Sequence, residues 1–295
     1  MPTQPPSSSP APARKPLRGT RILSLALNLP GPAALLRCRG MGATCVKIEP
    51  PTGDPMRQYQ PQAYADLHAG VRVISADLKN EKGQAVLQRE LAKADVLLTS
   101  FRPSALQRLG LNWKTLHKQY PALSQVAIVG GPGAQAETPG HDLTYLAEHD
   151  LVSGLHLPPT LFADMGGALM ASEAVLQAML HQREQGTGRY SEVALSDAAA
   201  WLARPRAWGL TAPQGTVGGR HAGYQVYACR DGRVAVAALE PHFAAALCRV
   251  ASLPISDMLA PATRAALEKW FARQSRAQLD ALAARHDLPL HTLPR

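Results

Sequence analysis

The sequence predicts an α/β domain followed by a smaller α+β unit. Two observations carry this. Between residues 21 and 195, short apolar runs of strand length alternate with stretches of helical spacing, the pattern of a parallel sheet whose strands are joined by helices. Beyond residue 223 two alternating runs flank Arg230-Asp231-Gly232, a hairpin signal, and helical stretches follow.

The chain opens with MPTQPPSSSPAPARKP, rich in Pro and Ser and without the apolar core of a signal peptide, so residues 1–19 read as a disordered tail. Residues 21–26 read as a buried strand, 33–39 as a helix and 44–49 as a second strand, which a helical crossover makes parallel to the first. The intervening loop is Leu29-Pro30-Gly31-Pro32, not the spaced glycines of a dinucleotide site, which argues against NAD or FAD. Residues 50–66, rich in Pro, Gln and Tyr, read as a surface loop. A strand at 71–76, a helix from 80 to about 93 and a strand at 95–98 continue the alternation. Ser104 reads as the cap of a short helix stopped by Gly110, then come a helix at 113–120 and a strand at 124–129. A helix starting near Asp164–Gly166 runs to about Arg183, and 191–195 is the last strand of a large domain over 20–204. Residues 205–223, rich in Gly, Pro and Arg, read as a linker, and 224–295 as the small α+β domain with helices around 243–251, 261–274 and 275–286.

Composition narrows the function. A chain of 295 residues with 46% hydrophobic and 18% charged residues builds a substantial core. Its net charge of +9 suits an anionic ligand such as a phosphorylated cofactor. The basic residues are scattered, without a basic helix interleaved with aromatics, which argues against nucleic acid. No apolar run is long enough for a transmembrane helix, so no membrane partner is expected. Cys38, Cys45, Cys229 and Cys248 lack the paired spacing of a zinc or redox site; they read as buried thiols of a reducing cytoplasm, and no metal is expected.

The stretch from Pro139 to Met170 concentrates the chemistry. One loop presents His141 and Asp142 together; a second presents Asp164 ahead of Gly166 and Gly167, where a helical pattern begins. Taken singly, His141 reads as a loop histidine, Asp142 and Asp164 as helix caps, and Glu240 as a surface carboxylate. Taken together they read as a site. Proton transfer to and from carbon needs a base and an acid, roles that an imidazole and a carboxylic acid fill. A developing oxyanion needs donors, which the N–H groups at Met165, Gly166 and Gly167 would supply from a helix start. Attack on a carbonyl instead needs one unhindered carboxylate, which Asp142 also offers.

The stretches LPGP with GATCVKIEPPTGDP, ADLKNEKG, ADVLLTSFRPSALQRLGL, GHDLTYL, FADMGGALMA, REQGTGRYSEVAL and YQVYACRDGRVAVAALEPHF occur in this order along the chain. Together they resemble the family III CoA-transferase superfamily, and within it most closely the 2-methylacyl-CoA racemases. The resemblance implies a Rossmann-like parallel-sheet large domain, a smaller α+β domain, an interlocked homodimer, and acyl-CoA as ligand with no permanently bound cofactor. It places the family's catalytic carboxylate on Asp142, which the transferases use as a nucleophile. The racemase pattern adds His141, Asp164 and, from the EPxF motif, Glu240. CoA contacts of the family fall near Lys47, Arg72 and Arg102. The activity implied is racemase-type proton transfer; the alternatives are CoA transfer through an aspartyl-CoA thioester, or a non-catalytic CoA-binding homologue.

Three departures from the family pattern bear on these expectations. A basic run expected around residue 70 is reduced to Arg72 in HAGVRV, and the loop at 130–138 is compact. The segment that returns from the small domain to the large one is not found before Arg295, so a looser dimer or an impaired activity is expected.

Overall fold

The computed structural model describes residues 15–254 and 257–295, so the tail reading of residues 1–14 lies outside the described residues. The chain divides into two units at Ala203/Arg204.

The first unit is an α/β fold. Its elements run β1 (Arg21–Ser24), α1 (Pro30–Gly40), β2 (Thr44–Glu49), α2 (Met56–Tyr59), α3 (Pro61–His68), β3 (Arg72–Ser75), α4 (Glu81–Leu91) and β4 (Val96–Thr99). There follow α5 (Pro103–Arg108), α6 (Trp113–Gln119), β5 (Ser124–Val129), α7 (Asp142–Glu148), α8 (Phe162–Gln185), β6 (Tyr190–Ala194) and α9 (Leu195–Leu202). The six strands form one sheet in the order β3-β2-β1-β4-β5-β6, with every pairing parallel. The order reverses between β1 and β4, and in open parallel sheets ligands bind outside the carboxyl ends of the strands at such a point.

Strand periodicity explains the two apolar layers. Ile22, Cys45, Val96 and Leu98 face a core completed by α1 and α8, while Leu23, Val46, Ile48 and Leu97 face one completed by Leu87, Leu91, Leu106 and Leu116 of α4, α5 and α6. α8 packs on α9 through its glycines: a side chain on Gly167 would overlap Leu195, and one on Gly166 would press on Ala198 and Leu202. Cys38 and Cys45 are buried free thiols, and burial pushes each up to about 12, which leaves them unreactive.

Several expectations change. Lys15 to Gly19 form a turn, and Leu17 is fully buried in the core, so the described end of the expected tail is part of the fold. Residues 50–66, expected as a surface loop, hold α2 and most of α3; Pro61 opens α3, where its missing N–H is harmless. Ser104 is not the cap of α5; its hydroxyl donates to Glu137 at 2.9 Å, and Arg102 is the cap residue.

The second unit contains α10 (Arg204–Ala207), β7 (Tyr224–Cys229), β8 (Gly232–Ala237), α11 (Pro241–Val250), α12 (Pro261–Phe271), α13 (Arg276–His286) and β9 (Leu290–Leu293). β7, β8 and β9 form an antiparallel sheet in that order. The third strand is an addition to the hairpin expected from sequence. Residues 205–223, expected as a linker, hold a short helix and a helical turn, with Ala222 fully buried. Among the described residues no helix is long and apolar enough to cross a membrane.

Candidate active site

A cleft of about 990 Å³ opens at the carboxyl ends of β1, β4 and β5. Leu27 to Pro30 form one wall, Ser100, Phe101 and Arg102 a second, and His141, Asp142 and Tyr145 a third; Asp164 and Tyr59 also line it. The topology therefore brings Arg102, His141, Asp142 and Asp164 to one cavity, from three segments that span 62 positions of sequence.

The local fold explains each placement. His141 is the cap residue of α7, extended at φ −142°, ψ 169°. The Thr144 hydroxyl accepts from the His141 N–H at 3.1 Å and donates to the His141 carbonyl at 2.7 Å, which fixes the backbone and leaves the residue exposed at the cleft. Asp142, first residue of α7, is 5% exposed, and its Oδ1 accepts from the backbone N–H of Asp164 at 2.9 Å. This bond ties the two loops together and sets a carboxylate near the positive end of α8.

Asp164 lies in the first turn of α8 and is partly buried. Burial pushes its carboxyl up to about 6, with the charge of Asp142 adding and that of His141 opposing. Near neutrality such a group can both give and take a proton. Burial also raises the phenol of Tyr145, to which the charge of Asp164 contributes.

Lys47, Arg72, Met165, Gly166 and Gly167 are placed otherwise than expected. Lys47 is fully buried: its ammonium meets Asp54 Oδ2 at 2.5 Å, Glu49 Oε1 at 3.0 Å and His68 Nε2 at 2.9 Å. Those three acceptors use its three hydrogens, so it does not reach a phosphate in the cleft. His68 Nδ1 lies 2.7 Å from the Tyr64 carbonyl, so its proton sits there and Nε2 accepts from Lys47. Arg72 begins β3, at the amino end of the sheet; its guanidinium is held by the buried Glu90 at 2.7 Å, and it does not line the cleft. Met165, Gly166 and Gly167 lie inside α8, which begins at Phe162, and the Met165 N–H already donates to the Leu161 carbonyl at 3.0 Å. The glycines serve helix packing. Of the first-turn N–H groups upstream of them, that of Asp164 donates to Asp142, which leaves those of Phe162 and Ala163 without a helical acceptor by position. Glu240 lies on the second unit, exposed at the cap of α11.

The sequence reading missed Asn28, Tyr59 and Tyr145 on the cleft wall, and Asp54 behind it. Tyr145 carried a signal, since it follows Asp142 by three residues and so shares its helix face. Glu49, Asp54 and His68 offer ligand atoms within 4.8 Å of one another, a donor set able to hold a metal, but the Lys47 ammonium occupies the space between them.

Comparison with known proteins matches residues 17–293 to CoA-transferase family III. A Mycobacterium tuberculosis protein named probable fatty acyl-CoA transferase Rv3272 is 31% identical over 215 residues, which is 67% of this chain and 54% of that protein. Mouse alpha-methylacyl-CoA racemase is 29% identical over 262 residues, 82% of this chain and 66% of that one. A crystal structure of Rv3272 superposes with a TM-score of 0.82 at 26% identity, covering 95% of this chain and 84% of that chain. The chain thus spans between about half and two thirds of these two curated relatives. With a family match over almost the whole described chain, and a strand order and cleft of the kind its motifs imply, the chain belongs to CoA-transferase family III.

Proposed function

We propose that the chain acts on acyl-CoA thioesters and moves the α-proton of a 2-methylacyl-CoA between the two faces of the carbon through an enolate. The observation that carries this reading is Asp164, with its carboxyl pushed up to about 6, on the same cleft as His141. One group removes the α-proton, the C–H electron pair forms the enolate C=C bond as the carbonyl π pair moves onto the thioester oxygen, and the other group returns a proton to the opposite face. Reversing the two roles serves the other antipode. Asp142 holds the Asp164 main chain. First-turn N–H groups of α7 and α8 would stabilise the enolate oxygen. Arg102 would meet a CoA phosphate. With this reading go acyl-CoA as a substrate with no permanently bound cofactor, a homodimer and a cytoplasmic setting.

The test is incubation with a (2R)-2-methylacyl-CoA in deuterated water, followed by NMR. Deuterium should enter at C2 with loss of optical purity; absence of exchange at high protein concentration overturns the reading.

A second reading is CoA transfer with Asp142 as nucleophile. It is favoured by the position of Asp142 on the cleft wall and by the transferase name of the mycobacterial relative. Its carboxylate would attack the thioester carbonyl, expel CoA thiolate and form an acyl anhydride; the thiolate then attacks the aspartyl carbonyl, releasing the acyl group as a carboxylate and leaving an aspartyl-CoA thioester. Hydroxylamine added during turnover should modify Asp142; turnover with Asp142 unmodified rejects transfer.

A further inference from the structure

We infer that Lys47 is a built-in cation that positions the cleft wall through Asp54. The inference deepens the proposed function and rests on the reading of the cleft as a CoA site.

Asp54 is fully buried. Its two carboxylate oxygens accept from the backbone N–H of Asn28 at 3.2 and 3.1 Å, and Oδ1 also accepts from the N–H of Met56 at 2.9 Å. Asn28 and Met56 both line the cleft. Asn28 holds φ +62°, a left-handed conformation that asparagine tolerates but that needs an anchor to persist. Met56 opens α2, which carries Tyr59 to the cleft. One carboxylate therefore fixes the turn after β1 and the start of α2 at once.

A buried carboxylate stays charged only with a partner. Lys47 supplies it from β2, beside β1 in the sheet, where its backbone is held on both sides by ladder pairing. Glu49, Asp54 and His68 surround the ammonium as oxygen and imidazole ligands surround a divalent ion. Lys47 thus performs the structural task of a metal while covalently tethered, and it controls ligand binding without touching the ligand. This defines Lys47 and Asp54 as positioning residues.

The test measures binding of free CoA to the full chain by calorimetry. Failure of the wild-type protein to bind CoA rejects the cleft reading itself, whatever Lys47 does. Given wild-type binding, Asp54→Ala leaves Lys47 with Glu49 and His68, and is expected to weaken CoA binding by roughly tenfold or more. Asp54→Asn keeps one acceptor for the Asn28 N–H and is expected to lose less. Binding by both variants within about twofold of wild type overturns the inference. Lys47→Ala is then titrated with zinc ion alone. Zinc should raise its melting temperature by several degrees, leave the wild type unchanged, and recover CoA binding. A Lys47→Ala chain that zinc neither stabilises nor returns to CoA binding overturns the inference, including when the metal-free variant is unfolded.

Discussion

Two carboxylate pairs in the first unit meet different fates. Glu49 and Asp54 share the Lys47 ammonium in the interior, and every oxygen named there has a fixed donor. Asp142 and Asp164 face a cleft, and the bond between them runs from a backbone N–H to one carboxylate oxygen. The first pair is bridged by one cation, two residues from Glu49 and seven from Asp54 in sequence; the second is left to repel, and burial with that repulsion lifts Asp164 to about 6. A carboxylate pair given its own cation becomes scaffold. A pair denied one keeps a raised carboxyl at the cleft.

Substitutions break this contrast from both sides. The largest effect is expected from Asp164→Asn, which removes the titrating group while keeping its shape: α-proton exchange should fall by about 10²–10⁴-fold, read by deuterium incorporation. Lys47→Met should strip the scaffold pair of its cation and lower stability by about 3–5 kcal/mol, read by urea denaturation. Arg102 is the lining residue with a permanent positive charge, so Arg102→Ala should weaken CoA by about 1.5–3 kcal/mol with little change in fold, read by titration calorimetry.

The smallest effect is a pH dependence. A carboxyl raised from its ordinary 3.8 to about 6 binds its proton more tightly in the folded chain, so its contribution to stability is complete below the ordinary value and is lost as pH rises through about 6. Asp164→Asn abolishes that loss. The variant should gain on the wild type between these values by about 1–2 kcal/mol after allowance for partial exposure, read from denaturation midpoints across the window.

The contrast also shows what the sequence could and could not reveal. The alternation of strands and helices was legible because strand periodicity survives in short apolar runs such as 96–99 and 124–129. His141, Asp142 and Asp164 were legible as a group because each sits at an element start, where loop chemistry is visible locally. Lys47 and Arg72 were misread for a common reason. A basic residue near a motif looks like a phosphate ligand until an acid claims it: Glu49 and Asp54 claim Lys47, and Glu90, eighteen residues on, claims Arg72. The role of Gly166 and Gly167 was misjudged because Leu161, the cap residue of α8, carries no cap signal, whereas Asp164 inside its first turn looks like a cap and moves the expected start to the glycines.

The start of α1 has a consequence for ligand selectivity. Pro30 and Pro32 carry no N–H, so of the first three positions of that helix Gly31 alone can donate from its backbone. Strand order 3-2-1-4-5-6 is the architecture on which dinucleotides are commonly seated, yet a pyrophosphate laid against this turn would find one amide where it requires several. Nicotinamide- and flavin-shaped inhibitors should therefore gain no purchase there, and chemical probes for this cleft are better drawn as thioester isosteres whose anionic end reaches for a guanidinium.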